Sequence, residues 1–250
     1  MPVSEELLDR ARDLDPVATE SLLSDVYPSV RRIALALVAD DGAARAVARG
    51  VLDRGLRVLP GWRSGATPEN WFYHHTVLAA REVATVRPAR SSADGNQDPL
   101  VARASFADPA YTAFVRAVRG LPEQQAEAYL LYHGERLNER LLGVAMDCSA
   151  AAAANHLQAA TDALTAMSGG DITRCTGILA KAYAALAPDA SEATVLIRPS
   201  VRRARRRRRL RGIIRAFLAL VLIALLAYLG WAAWHWRHLL QQLWAERSQT

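Results

Sequence analysis

Apolar residues recur at three- and four-residue intervals through most of this chain, and the period-two alternation of strands is scarce. Leu22, Val26, Val30, Ile33 and Leu37 follow helical spacing. Asp40-Asp41-Gly42 predicts a turn. A second helix is expected from about Ala43 to Leu59, with Val47, Val51, Leu52 and Leu56 on one face. Pro60-Gly61 stops it, and Trp62 opens a polar loop. Pro68 sets up a third helix near Glu69, with Trp71, Phe72, His75, Leu78, Ala79 and Val83 spaced for packing. Residues 88–110 read as a linker by composition. Helices are then expected over Tyr111–Arg119, Gln124–His133, Leu137–Met146 and Ala150–Met167. Pro122 stands at a helix start, and Ser149 caps the last helix. Ile172–Leu186 reads as one more helix, and Pro188–Ser200 as a tether.

The period disappears at the end of the chain. Ala216 to Trp234 runs 19 residues without a charge, close to the ~20 that a helix needs to cross a bilayer core. The run is apolar on every face, and Trp231, Trp234 and Trp236 gather at its far end, as interfacial aromatics do. Ten arginines lie between Arg198 and Arg215, including the unbroken Arg205, Arg206, Arg207, Arg208 and Arg209. The positive-inside rule then places residues 1–215 in the cytoplasm and a short tail outside. A signal peptide does not fit, because the segment is C-terminal and the chain opens on polar residues.

The expected organisation is all-α. Residues 1–87 form one small helical domain, 88–110 a linker and 111–167 a second domain. Residues 168–200 form a helix and tether, 201–215 an arginine-rich juxtamembrane segment, 216–236 a single transmembrane helix and 237–250 an outer tail.

Charge sharpens this picture. The chain carries +6. Without the ten arginines and the single net positive charge of the tail, residues 1–197 stand at −5. The basic character therefore belongs to the juxtamembrane run, which fits anionic membrane lipid at about 1 kcal/mol per residue and, second, a nucleic-acid backbone. Within the rest, residues 21–90 hold ten arginines against six acids, and 111–167 hold four against six.

The two helical units, in this order, resemble the two domains of an extracytoplasmic-function (group 4) sigma factor. Tyr27–Val38 resembles the opening helix of region 2. Ala44–Arg57 sits on its clamp-binding helix, Leu59–Trp62 on the following turn, and Trp71 on its next helix. Leu121-Pro122 with Glu127-Ala128 and Leu130-Leu131 is similar to the start of region 4, and Leu137–Leu164 falls on its helix-turn-helix. The resemblance implies a sigma-like transcription regulator at a bacterial plasma membrane, with core RNA polymerase and promoter DNA as partners. It implies polymerase contacts at Arg45, Arg49 and Asp53, DNA contacts at Ser149, Asn155, His156 and Gln158, and base stacking on Trp62 and Trp71.

Departures accompany the match. The family's acidic pair is Arg45 and Ala46 here, and its later Gln-Glu is Arg49 and Gly50. Where the family places Lys and Arg on its recognition helix, this chain has Ala154, His156 and Ala159. These losses favour an alternative: a membrane-anchored adaptor that binds a protein such as an anti-sigma factor and no longer reads DNA.

No motif for phosphate cradling, nucleophilic catalysis or zinc ligation occurs. Cys148 and Cys175 lack CxxC partners. His74 and His75 read as packing or surface residues, and His133 and His156 lack carboxylate partners at metal spacing. The expectation is no enzyme, no metal, no cofactor and no small-molecule substrate.

Overall fold

The computed structural model describes residues 4–62, 67–86, 98–105, 108–168 and 171–247. Among these, every element is helical and no strand forms. The chain divides into two units, Met1–Arg202 and Arg203–Thr250.

The first unit opens with α1 (Glu5–Arg12), an element the hydropathy pattern did not single out. Ser4 caps it by accepting from Leu7 N at 3.2 Å. Helix α2 (Pro16–Val38) starts where the Asp15 carboxylate accepts from Ala18 N at 2.9 Å, with proline at its first position. It ends at Ala39 in the left-handed region, φ 56°. Helix α3 (Asp41–Val58) follows at once. The expected turn at Asp40-Asp41-Gly42 is shorter than anticipated: the Asp40 carboxylate accepts from Ala43 N at 2.7 Å, so Asp41 and Gly42 already belong to the helix. A 3₁₀ turn (Leu59–Gly61) and α4 (Pro68–Val86) complete this half.

Part of the expected linker, residues 88–97 and 106–107, lies outside the described residues. The remainder is not a plain tether. Asp98 caps the short helix α5 (Pro99–Ala102), which buries Leu100 and Val101. The second half contains α6 (Pro109–Gly120), α7 (Glu123–His133), α8 (Glu139–Met146), α9 (Ala150–Ser168) and α10 (Ile172–Ala184). The expected tether over 188–200 is also corrected: α11 (Ala190–Arg247) begins inside it, and Ile197, Ser200 and Val201 are buried.

Leu22, Val26, Val30 and Ile33 of α2 are buried, as are Val47, Val51, Leu52 and Leu56 of α3. The two halves share a core. Ile33 of α2 and Val77 of α4 pack with Ala128, Leu131, Leu137, Leu142, Ala145, Met146 and Ala153. Ion pairs stitch the same joint. Arg81 of α4 grips Glu127 of α7 through two hydrogen bonds, 2.8 and 2.6 Å, and donates to the Met146 carbonyl at 3.1 Å. Arg32 of α2 grips Glu135 at 3.1 and 2.7 Å. Arg119 holds Asp98 at 2.8 Å and donates to the Ala36 carbonyl.

The second unit is the remainder of α11. One helix is long and apolar enough to cross a membrane. The candidate span lies within Ser191–Ala232, and its best stretch has a mean hydropathy of 2.5 with no residue buried. Phe217, Leu218, Leu220, Ile223, Leu226 and Trp231 are all exposed. Exposure of so many large apolar side chains is tolerable where lipid replaces water.

Candidate functional site: a helix-turn-helix and a basic helix face

The α8–α9 pair is a tight corner. Asn138 caps α8 by accepting from Leu141 N at 3.0 Å. Asp147 closes the helix in the left-handed region, φ 60°, and Ser149 starts α9 by accepting from Ala152 N at 3.1 Å. Gly143 makes this corner possible. A Cβ there would stand 2.9 Å from the Cys148 carbonyl, 3.0 Å from Ala150 N and 3.1 Å from the Ser149 carbonyl carbon. All three are backbone atoms of the turn, which has nowhere to retreat. A glycine inside an expected helix was the available sequence signal, and it went unread.

The four expected DNA-contacting residues share α9 and its cap, with different freedom. Ser149 is exposed but spends an acceptor site on capping. Gln158 is exposed and donates to Asp162 at 2.8 Å. Asn155 is exposed, and His156 is half-buried. No lysine or arginine occurs between Arg140 and Arg174, so the outward side of α9 carries no fixed positive charge. Cys148 stands near Arg81 and Glu127 at the foot of this corner, and burial pushes its thiol pKa up.

The expected polymerase-contacting residues lie along α3. Arg45 is exposed, pairs with Asp41 at 3.1 Å and approaches Glu192 of α11 at 3.5 Å. Arg49 is exposed and Asp53 is half-buried; neither makes an ion pair among the described residues. Arg57 is exposed one helical turn past Asp53. The outer face of α3 is thus basic.

Trp62 and Trp71 meet each other edge-to-face, centroids 5.6 Å apart, and both contact Phe72. Trp71 also lies 4.0 Å from the His75 ring. Both tryptophans are half-buried. Each spends one surface on this cluster, which anchors α4 against Gly55 of α3 through Phe72. Burial first, then neighbouring His74 and Arg54, lowers the His75 pKa.

Arg206–Arg209 are exposed and Arg205 is half-exposed on α11. At 100° per residue, five consecutive arginines cover every side of a helix rather than one stripe.

Sequence reasoning missed Glu192 altogether. It receives hydrogen bonds from Tyr27 and Arg31, the latter 161 positions away, and no local pattern announces such a partner. No protein-family model matches this chain, and no curated protein matches it in sequence.

Proposed function

We propose that this chain is a membrane-tethered, sigma-factor-like transcription regulator that acts at RNA polymerase and promoter DNA, with residues 1–215 on the cytoplasmic side of a bacterial plasma membrane. The carrying observation is the α8–α9 corner, where capped helices meet at a turn pressed against Gly143. A small helical unit precedes it in the order the resemblance implies. The arginines before the apolar run support the orientation and give anionic lipid a binding partner.

One observation favours a second reading, the adaptor that has lost promoter recognition. Phosphate neutralisation supplies a large share of DNA affinity, and α9 has no cation to supply it.

The test is co-purification of the full chain, in lipid nanodiscs, with core RNA polymerase at low and moderate salt. Retention at both salts, with protection of a promoter fragment, supports the regulator. Failure to retain polymerase at low salt discards it in favour of the adaptor.

A further inference from the structure

The first turns of α11 run where a loose tether was expected, and they are fastened down. Glu192 Oε1 accepts from Tyr27 Oη at 2.8 Å and from Arg31 Nε at 3.2 Å, and lies 3.5 Å from Arg45 Nε. Tyr27 is fully buried, and the Arg31 side chain is 3% exposed. Further along, Ile197, Ser200 and Val201 are buried at i, i+3 and i+4, and Arg198 stands 3.5 Å from Glu20. One carboxylate oxygen therefore accepts from two donors of α2 with the Arg45 cation of α3 close by, and buried Ile197 and Val201 hold the helix in place.

Two features make this a receptor rather than a plain weld. Arg31 keeps Asp41 as an independent partner, so losing Glu192 does not leave it without a counter-charge. Glu192 also meets Arg31 through Oε1 alone, and Arg31 Nε and Nη2 are split between Glu192 and Asp41. A guanidinium grips one carboxylate best through two parallel bonds, and Nε with Nη2 is one such pair. Glu192 thus holds the site by a single oxygen, a weaker grip than a forked carboxylate would have.

We infer that residues 190–201 are a displaceable strap across α2 and α3. Glu192 fills in cis a carboxylate site that an acidic segment of a second protein fills when the strap lifts. Arg45 belongs both to that site and to the outer face of α3, where Arg49 and Arg57 continue at helical-turn spacing. A protein carboxylate is favoured over a nucleic-acid phosphate because the site already holds a carboxylate, that of Glu192, on Tyr27 Oη and Arg31 Nε. The inference goes beyond the transcription reading and holds whether or not the chain touches promoter DNA.

The test uses the full chain in nanodiscs, with Arg205–Arg209 changed to glutamine so that the juxtamembrane block does not capture the probes. Two lifting variants are compared with this parent. Glu192→Gln keeps an acceptor for Tyr27 and removes the charge, while Arg198→Glu repels Glu20 at the other end of the strap without touching the buried site. The probes are a 20-residue polyglutamate peptide and a 20-nucleotide oligothymidylate. Each variant should speed hydrogen exchange of the 192–201 amides and tighten polyglutamate binding by about tenfold, the size of one charge-assisted hydrogen bond. Adding Arg45→Ala and Arg49→Ala should abolish that gain. Unchanged exchange and affinity in both variants would overturn the strap. A gain for the oligonucleotide instead of the peptide would overturn the assigned partner class. Neither result depends on polymerase binding, so this inference and the proposed function fail separately.

Discussion

Helices α2 to α4 and helices α7 to α9 are built of the same alanine- and leucine-rich material, yet they spend their charge differently. The first set supplies arginines and the second supplies the carboxylates that receive them: Arg32 reaches Glu135 and Arg81 reaches Glu127. The charge imbalance along the sequence is therefore first a property of a joint. What remains after pairing is the surface a partner meets. On α3 that remainder is Arg49, Arg54 and Arg57; on α9 it holds no cation. A surface charge read from sequence gains meaning only once the internal claims on it are known.

The joint should yield the largest effect when broken. Arg81→Ala leaves the Glu127 side chain, 5% exposed, without its counter-charge and takes a donor from the Met146 carbonyl. The expected loss is about 3–5 kcal/mol. Denaturant titration of the full chain, followed by circular dichroism, reads it as a lower midpoint. Arg81→Met combined with Glu127→Leu should recover most of the loss, because no buried charge is then stranded. A neutral Arg81→Ala would mean that the apolar core alone holds the halves together. Gly143→Ala comes next, at about 1–3 kcal/mol. The added Cβ meets turn backbone rather than a flexible side chain, so relief requires moving the Cys148–Ala150 segment.

The contrast between local and distant causes explains how much of this was legible. Helices α2 to α4 and α6 to α9 follow from apolar spacing, with Ser149 capping as its chemistry demands. The apolar run after the arginines was readable because lipid imposes a length and a composition at once. The strap was not readable. Residues 188–200 hold Pro, Asp and Ser, a tether's composition, and their order comes from Tyr27, Arg31 and Glu20, more than 160 positions away. Helix α5 hid for a related reason: four residues inside a loop-like stretch become helical because Asp98 caps them and Arg119 holds Asp98. The α9 surface was the clearest functional signal in the sequence, since an absence of cations needs no partner to be seen.

The fold also carries opposing responses to acid. Burial lowers the pKa of His133, whose ring lies 4.4 Å from Tyr129, and it lowers that of His75. A lowered histidine is neutral in the fold. Its contribution is complete above the ordinary 6.5 and is lost as pH falls from there through the folded value. Glu127 works the other way. Burial raises its pKa despite Arg81, so the fold gains as pH falls through the raised value towards 4.5. Melting temperature should therefore decline below about pH 6.5 and flatten at lower pH. His133→Gln should shrink the decline, and Glu127→Gln should remove the flattening. If His133→Gln leaves the pH profile unchanged, the histidine is not the source of the decline.

The two corners offer the smallest and cleanest comparison. The α2–α3 corner places Ala39 at φ 56°, and the α8–α9 corner places Asp147 at φ 60°. Left-handed backbone costs an L-residue roughly 1–2 kcal/mol, and aspartate recovers part of this by bonding locally while alanine recovers none. Glycine avoids the penalty but adds freedom to the unfolded chain. Ala39→Gly should therefore stabilise the chain by about 0.5 kcal/mol, and Asp147→Gly by less. Both are read from denaturation midpoints under one set of conditions. An equal gain at both corners would mean that the aspartate side chain relieves nothing at its turn. A loss at Ala39 would mean that its methyl packs against the joint, and the first corner would then owe its shape to contacts rather than to a tolerated strain.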